Sequence, residues 1–233
     1  MSRGIITVMR QFLLFVFAVL FAAIPVSYAA SSHFLTWKTN TYVPQEFWGK
    51  PLPIKGSAVT LSVQSLDPQE SFSNIPITWY VDNIIIAQGN GLSTTPYTVT
   101  EGPGLYVIKA FLRLPDGTPE TLTAPLKVVA PFVSLVEQHA ATVNHQISTA
   151  NTELRFHAIP LFYNTSSLLG LAFTWGVGDV TSEDQNPQNP DYASITFPEG
   201  ASSGSRGTVT VSVTNIAHPD EHASQYTTVI TPQ

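Results

Sequence analysis

A polar loop in the C-terminal half of the chain has residue types that could bind a metal ion. It carries four acidic residues, Asp179, Glu183, Asp184 and Asp191, among several Asn, Gln and Pro residues. Calcium takes about six to eight oxygen ligands, and carboxylates commonly supply them. The separations between these acids are irregular, and no D-x-D-x-D pattern occurs. We expect a solvated acidic loop and keep a calcium site as the alternative.

Imidazole and carboxylate groups also cluster near the C-terminus. The segment His218–His222 contains two His and two acidic residues. Neutral imidazoles are good zinc ligands. A turn containing Pro219 does not place residues i and i+4 on one face, as a helix would. We therefore expect a turn between the last two strands and no metal site. His139, His145 and His157 have no mutual spacing that suggests a site.

The segment Gly200–Gly204 matches the hydrolase pattern G-x-S-x-G by letters. A nucleophile elbow needs a strand before it and a helix after it, with an acid and a His later in the chain. Here a Gly- and Ser-rich stretch leads into a strand-like run. We interpret it as a loop and expect no enzyme, and a hydrolase stays as an alternative of a different class.

An aromatic cluster offers a candidate binding surface. Tyr42, Phe47 and Trp48 lie in the Pro-rich segment Tyr42–Pro53, which is too long for a tight turn. Tyr and Trp dominate the energetics of protein interfaces. The segment could therefore present a contact surface. The alternative is that it folds back and caps the open end of the neighbouring domain.

The first residues have the pattern of a secretion signal. Arg3 and Arg10 precede an apolar run, Phe12–Val26, and Ser27-Tyr28-Ala29 provides small residues at the −3 and −1 positions of a cleavage site. The run is shorter than the roughly 20 residues of a membrane span. We predict cleavage after Ala29 and a secreted, cell-surface or periplasmic protein. A retained N-terminal anchor is the alternative.

The composition excludes several classes of partner and chemistry. Loss of Arg3 and Arg10 with the signal would change the formal net charge from −6 to −8. An acidic chain has little attraction for nucleic acid or anionic lipid. Cysteine is absent, which excludes disulfides, thiolate nucleophiles, Cys-ligated zinc and a lipid-modified N-terminal Cys. Protein or glycan partners remain.

After the signal, short runs rich in Val, Ile, Thr and aromatic residues alternate with turn residues, which is typical of an all-β sandwich. Asp82-Asn83 predicts a two-residue hairpin, and Pro115-Asp116-Gly117 a second turn. The predicted strands of the first half are Phe34–Thr39, Ala58–Leu66, Ile75–Val81, Ile84–Gln88, Thr95–Thr100, Leu105–Leu114 and Thr121–Val129. Those of the second half are Val133–Glu137, Glu153–Ile159, Phe173–Val177, Ser194–Phe197, Thr208–Thr214 and Gln225–Ile230.

The second half repeats the plan of the first. Ile77–Val81 has a counterpart in Phe173–Val177, 96 residues later, and Lys127–Pro131 matches Thr228–Pro232 at an offset of 101. Two similar offsets indicate tandem domains. We predict a signal peptide at 1–29, one sandwich at 30–131 and another at 132–233. The short junction predicts a semi-rigid, end-to-end arrangement.

Two motifs resemble those of known modules. Trp79–Asn83, followed by an apolar run and Gln88-Gly89, resembles the hairpin of bacterial immunoglobulin-like domains. Gly102–Val107 resembles the Pro-Gly-x-Tyr-x-Val motif of polycystic-kidney-disease (PKD)-like and fibronectin-type domains. The second half keeps the Trp at Trp175 but has Arg206–Val209 in place of the Tyr motif. The resemblance implies modules that serve as spacers, adhesins or ligand-binding parts of surface proteins.

These residues also have a direct structural interpretation. Trp79 and Trp175 alternate with polar neighbours, so each should fill a sandwich core that has no disulfide. Tyr106 should be buried at a strand start with its hydroxyl bonded to nearby backbone, as in a tyrosine corner. We predict an exported, non-catalytic tandem for adhesion, spacing or assembly. The alternative is a carbohydrate- or peptide-binding module that uses the Trp48 region or a strand edge.

Overall fold

A computed structural model describes residues 32–138, 146–148, 153–178, 180–183, 188–196 and 206–230. The fold is all-β, as predicted, and consists of two β-sandwiches in sequence. The predicted signal segment at 1–29 lies outside the described residues. Within the described residues, no helix is long and apolar enough to cross a membrane.

Seven strands form the first sandwich. One sheet has the order β1-β2-β5 and the other the order β4-β3-β6-β7, with every neighbouring pair antiparallel. Each strand corresponds to one of the predicted runs, with small shifts at the ends. The bounds are β1 His33–Thr39, β2 Ala58–Ser65, β3 Pro76–Val81, β4 Ile84–Asn90, β5 Thr94–Thr98, β6 Gly104–Arg113 and β7 Pro119–Val128.

The two predicted turns of this sandwich have the expected backbone. Asp82 and Asn83 join β3 to β4 with φ of 46° and 71°, the left-handed conformation that a two-residue hairpin requires. The Asp82 carboxylate also accepts a hydrogen bond from the Val107 amide at 2.8 Å. Gly117 has a φ of 86° in the turn between β6 and β7. Local sequence therefore determines how these strands are connected.

Among its described residues, eight strands and one short 3₁₀ turn form the second sandwich. One sheet has the order β13-β10-β8, and the other the order β12-β11-β14-β15-β9, in which β9 is parallel to β15. The short strands β9 and β12 were not predicted. The bounds are β8 Phe132–Glu137, β9 Gln146–Ser148, β10 Glu153–Leu161, the 3₁₀ turn Leu168–Gly170, β11 Leu171–Val177, β12 Val180–Glu183, β13 Tyr192–Thr196, β14 Arg206–Asn215 and β15 His222–Ile230.

Each sandwich has its own hydrophobic core with a Trp near its centre. One cluster of buried residues spans Trp37 to Val128 and the other Val133 to Val229. Trp79 and Trp175 are both fully buried, as predicted. Their indole nitrogens donate to the backbone carbonyls of Leu92 at 2.8 Å and Pro190 at 3.0 Å. The domain bounds at 30–131 and 132–233 stay a prediction.

Tyr106 forms the predicted bond but is less buried than expected. It lies at the start of β6, and its hydroxyl donates to the Gly102 carbonyl at 2.8 Å. Its ring is half-buried and packs against the first core. The ring is not enclosed, because it also lines an open groove beside β4. The bond closes the short loop that leads into β6, which is the function of a tyrosine corner.

Candidate binding surfaces at the junction of the two sandwiches

The segment Tyr42–Pro53 gives its three aromatic residues different environments. Trp48 is fully exposed, with a relative accessibility of 101%. Phe47 is half-buried and meets Phe162 of the second sandwich edge-on, with the ring centroids 5.7 Å apart. Tyr42 is half-buried and packs against the second core. The predicted aromatic cluster therefore divides into two residues that contact the second sandwich and one that faces solvent.

The other end of the same segment caps the first sandwich. Ile54 is buried, and Leu52 packs against the first core. The Thr41 hydroxyl donates to the Leu52 carbonyl at 2.9 Å, and the Val129 amide donates to the Pro53 carbonyl at 3.0 Å. The capping alternative is thus correct for this part. The loop is held at both ends, with Trp48 between them.

Lys50 in this segment adds a cation–π contact. Its ammonium lies 3.3 Å from the centroid of the Trp37 ring. Burial lowers the pKa of Lys50. The Trp37 indole nitrogen in turn donates to the Pro125 carbonyl at 2.8 Å. Cation–π contacts are strongest over Trp, so this pair also restrains the loop that presents Trp48.

Backbone hydrogen bonds connect the two sandwiches at Tyr42. Its amide donates to the Tyr163 carbonyl at 2.7 Å, and its carbonyl accepts from the Phe162 amide at 2.7 Å. Phe162 has a φ of 64°. Residues other than Gly rarely adopt this backbone conformation, so the surrounding structure must stabilise it. Below we call Tyr42, Phe162, Tyr163 and Asn164, with their partners, the junction clasp.

Asn164 supplies the polar part of the clasp. Its Oδ1 accepts from the Ser57 hydroxyl at 2.6 Å, and its Nδ2 donates to the Lys55 carbonyl at 3.2 Å. Gly56, between these two residues, has a φ of 86°, and a Cβ there would lie 3.4 Å from Asn164 Nδ2. The turn of the first sandwich thus allows a close approach of the second.

A buried carboxylate orients Asn164. The side chain of Glu221 accepts from the Asn164 amide at 2.9 Å, from Asn164 Nδ2 at 2.6 Å and from Asn215 Nδ2 at 2.8 Å. Glu221 and Asn215 are both buried. Charge-assisted bonds of this kind are stronger than neutral ones. The segment His218–His222 therefore forms the turn predicted between β14 and β15, and its one buried acid has a structural role that the sequence did not reveal.

Asp191 is the one calcium candidate whose side chain the structure describes. Its Oδ2 lies 3.1 Å from Nε2 of His157, and the His157 ring stacks on Tyr192 at 4.2 Å between centroids. Glu183 ends β12. Asp179 and Asp184 lie outside the described residues. In the part of the chain that is described, no group of three or more acidic or His residues could hold a metal ion. The calcium site stays a prediction.

The junction brings two of the sequence candidates near each other. Burial raises the pKa of Tyr42, and the negative charges of Asp191 and Glu46 raise it further. Tyr42 comes from the first half of the chain and Asp191 from the second, so sequence spacing gave no sign of their proximity. His139, His145 and the segment at 200–204 lie outside the described residues.

A cluster of titratable side chains around His33 was not predicted from the sequence. His33 is buried at the start of β1, with Nδ1 2.5 Å from Glu120 Oε2 and Nε2 2.9 Å from Glu70 Oε2. Burial acts to lower the pKa of His33, but the hydrogen bonds and charges of Glu70 and Glu120 outweigh it and raise that pKa. The hydrogen bonds from Ser65 and His33 lower the pKa of Glu70.

These shifts predict a stability maximum in weakly acidic solution. A raised His pKa contributes stability that is present below 6.5 and is lost as pH rises through the folded-state value. A lowered Glu pKa contributes stability above 4.5 that is lost on acidification. We expect His33→Gln to reduce the free energy of unfolding by roughly 1–2 kcal/mol between these two pH values, and by less at pH 9.

The measurement is urea unfolding of both proteins from pH 4 to pH 9. The groups that face His33 include Glu70, Glu120 and the Phe72 ring, and Ser65 bonds to Glu70. The matched control is His218→Gln, since His218 is exposed on a turn. A stability difference that does not change with pH would contradict the prediction.

Comparisons with known proteins give a fold likeness and no family. The sequence matches no protein-family model and no curated protein. The fold is similar to three N-terminal domains of the outer capsid protein Hoc of bacteriophage RB49, at 14% identity and a TM-score of 0.46 over 85% of this chain. This chain spans 59% of that one.

Two further solved structures are similar over most of this chain. One consists of the fibronectin(III)-like modules of Clostridium thermocellum CbhA, at 16% identity and a TM-score of 0.30, with coverage of 83% of this chain and 94% of that one. The other is the central fibronectin-III array of RIM-binding protein, at 10% identity and a TM-score of 0.28, with coverage of 84% of this chain and 69% of that one. At these scores the likeness carries no argument about function. The strand order defines the class, tandem immunoglobulin-like β-sandwiches: three strands face four in the first sandwich and three face five in the described part of the second, and each has a central Trp.

Proposed function

We propose that this chain is an exported, non-catalytic immunoglobulin-like tandem for adhesion or assembly at a cell surface, with Trp48 as its main contact. Export is supported by the sequence of residues 1–29. The observation that carries the binding role is the full exposure of Trp48 on a loop that both sandwiches hold in place.

The energetic reason is that a large aromatic side chain in water gains most when a partner covers it. Trp is enriched among the residues that dominate binding energy. A restrained loop loses little conformational entropy on association, so more of the contact energy appears as affinity. Phe47 on one side of Trp48 and Lys50 on the other both make contacts that restrain the loop. A spacer would need no exposed Trp at this position.

We expect Trp48→Ala to weaken partner binding at least tenfold, the loss of about 1.4 kcal/mol or more that defines an interface anchor. The free energy of unfolding should change by less than about 0.5 kcal/mol, as for other surface substitutions. The measurement is biolayer interferometry of the full mature chain against envelope preparations of the producing cells and a panel of immobilised glycans. Intrinsic fluorescence provides a second readout, because Trp37, Trp79 and Trp175 are buried and Trp48 is exposed.

The matched control is Leu169→Ala, which truncates another exposed apolar residue, in the 3₁₀ turn before β11. Equal losses in the two variants would contradict a specific role for Trp48. If the natural chain binds neither the envelope preparations nor the glycans, the adhesion proposal itself is contradicted.

A second candidate function, glycan binding, is supported by an open groove beside the clasp. The groove has a volume of about 340 Å³ and is lined by hydroxyl and amide side chains, including Thr39, Asn40, Thr165 and Ser166. Such groups exchange hydrogen bonds with sugar hydroxyls. This candidate would be favoured if the chain binds a glycan, Thr165→Val weakens that binding and Trp48→Ala does not.

A further inference from the structure

The edge strand β4 has features of a site for strand addition. Among the described strands it pairs only with β3. The segment Ile84–Asn90 contains no charged residue and no Pro, although these are the residues that usually protect an edge from pairing. Ile84 and Ile85 are 70% and 56% exposed. The outer edge of β4 therefore offers backbone hydrogen-bonding groups beside two solvent-exposed isoleucines.

A groove with acidic residues lies on one side of this edge. It has a volume of about 400 Å³ and is lined by residues of β4, of β5 (the edge strand of the other sheet) and of the adjoining turns. Ile84, Ile86, Tyr97 and Tyr106 supply apolar and aromatic surface, and Asp82 and Glu101 supply carboxylates. No basic residue is among the lining residues.

The other side of the edge presents Ile85 and, on the strands further in, a mixed surface. Ile85 pairs with Tyr80, which pairs with Lys109, so these three side chains share a sheet face. Val107 and Leu105 precede Lys109 at two-residue steps along β6 and therefore lie on the same face. Leu105 is 70% exposed, and Val107 is also exposed. A strand added to β4 would have carboxylates on one side and Ile85 on the other, whereas Leu105 and Val107 lie further in, because β3 separates β4 from β6.

We propose that β4 binds an extended segment of a partner protein in which basic and aliphatic residues alternate. Successive side chains of a strand point to opposite faces, so its Lys or Arg residues enter the groove and its aliphatic residues cover Ile85. Main-chain hydrogen bonds to β4 provide the affinity, and the two faces provide the sequence preference.

Charge complementarity selects the occupant. The groove contributes the carboxylates of Asp82 and Glu101 with no basic side chain of its own, so a basic partner segment neutralises it. A second copy of this chain that paired through its own β4 would bring no Lys or Arg, because Ile84–Asn90 has none. Self-pairing is therefore the less complementary occupant, and the test below separates the two.

The test measures binding of a labelled peptide, acetyl-TVRVRVT-amide, to the full mature chain by fluorescence anisotropy. We expect saturable binding, with at least tenfold weaker binding of the analogue that carries Glu in place of Arg. Methylation of the peptide amides that would face β4 should abolish binding, whereas methylation of the alternate amides should not. Glu101→Gln should weaken binding by about 3- to 5-fold, as expected for one partly exposed charge pair.

The matched control is Asp220→Asn, an exposed acid on the second sandwich, which should bind the peptide like the natural chain. Trp48→Ala should also bind normally, so the result does not depend on the proposed adhesion surface. Equal binding of the Arg and Glu peptides, or no effect of amide methylation, would overturn the proposal. Concentration-dependent dimerisation that Glu101→Gln leaves unchanged, with no peptide binding, would assign the edge to a second copy instead.

Discussion

Replacing Trp79 with Ala should lower the free energy of unfolding of the first sandwich by about 3–5 kcal/mol, the range for a large aromatic residue removed from a core. The side chain is completely buried, so the substitution leaves a cavity that the surrounding strands cannot close. It also leaves the Leu92 carbonyl without its indole donor. Because small domains have only about 5–15 kcal/mol of total stability, the first sandwich should be close to unfolding at 37 °C.

Urea unfolding followed by circular dichroism tests this prediction, and Trp48→Ala is the matched control. Both variants lose an indole, but Trp48 is fully exposed and makes no core contact. The equivalent change at Trp175 should destabilise the second sandwich to a similar extent. A Trp79→Ala protein as stable as Trp48→Ala would contradict the core assignment.

Replacing Glu221 with Ala should cost about 3 kcal/mol, because buried donors left without an acceptor cost about 1–3 kcal/mol each. The carboxylate accepts from the Asn164 amide, from Asn164 Nδ2 and from Asn215 Nδ2. Asn164 also contacts Ser57 and the Lys55 carbonyl of the first sandwich. Losing Glu221 should therefore weaken the clasp as well as the second sandwich.

Calorimetry distinguishes the two effects. We expect the natural chain to unfold with coupled transitions of the two sandwiches, and the Glu221→Ala protein to show two separated transitions. Asp220→Ala is the control, since it removes the neighbouring exposed acid and should change stability by less than about 0.5 kcal/mol. Ser57→Ala removes a bond across the junction and also the acceptor of the buried Ile54 amide, so it should separate the transitions with a loss of about 1–3 kcal/mol. Identical thermograms for the Glu221 and Asp220 variants would contradict this role.

The elements with local signals were predictable from the sequence. Asp82-Asn83 determined a hairpin, and Trp79 and Trp175 alternated with polar neighbours in a way that identified buried strands. β9 and β12 were not predicted, because three- and four-residue strands have too few residues to show an alternation. Tyr106 is only half-buried, less than expected, because its position beside an open groove depends on tertiary packing.

The candidate sites were much less predictable. His33 meets Glu120 because β1 and β7 come together in the fold, and it meets Glu70 through the loop between β2 and β3. No sequence spacing indicates either contact. The acidic residue within His218–His222 that matters structurally is Glu221, and its partner Asn164 lies more than fifty residues earlier. The segment around Trp48 was correctly identified as aromatic, but its division into a docked Phe47 and an exposed Trp48 follows from contacts with a different domain.

The clasp also has a mechanical consequence. The two sandwiches are joined covalently through residues 129–131, and a second time through the hydrogen bonds of Tyr42 and Asn164. A tensile force across the junction is carried by both connections, and the noncovalent one ruptures first. The chain would then extend by a short, reversible step before either sandwich unfolds.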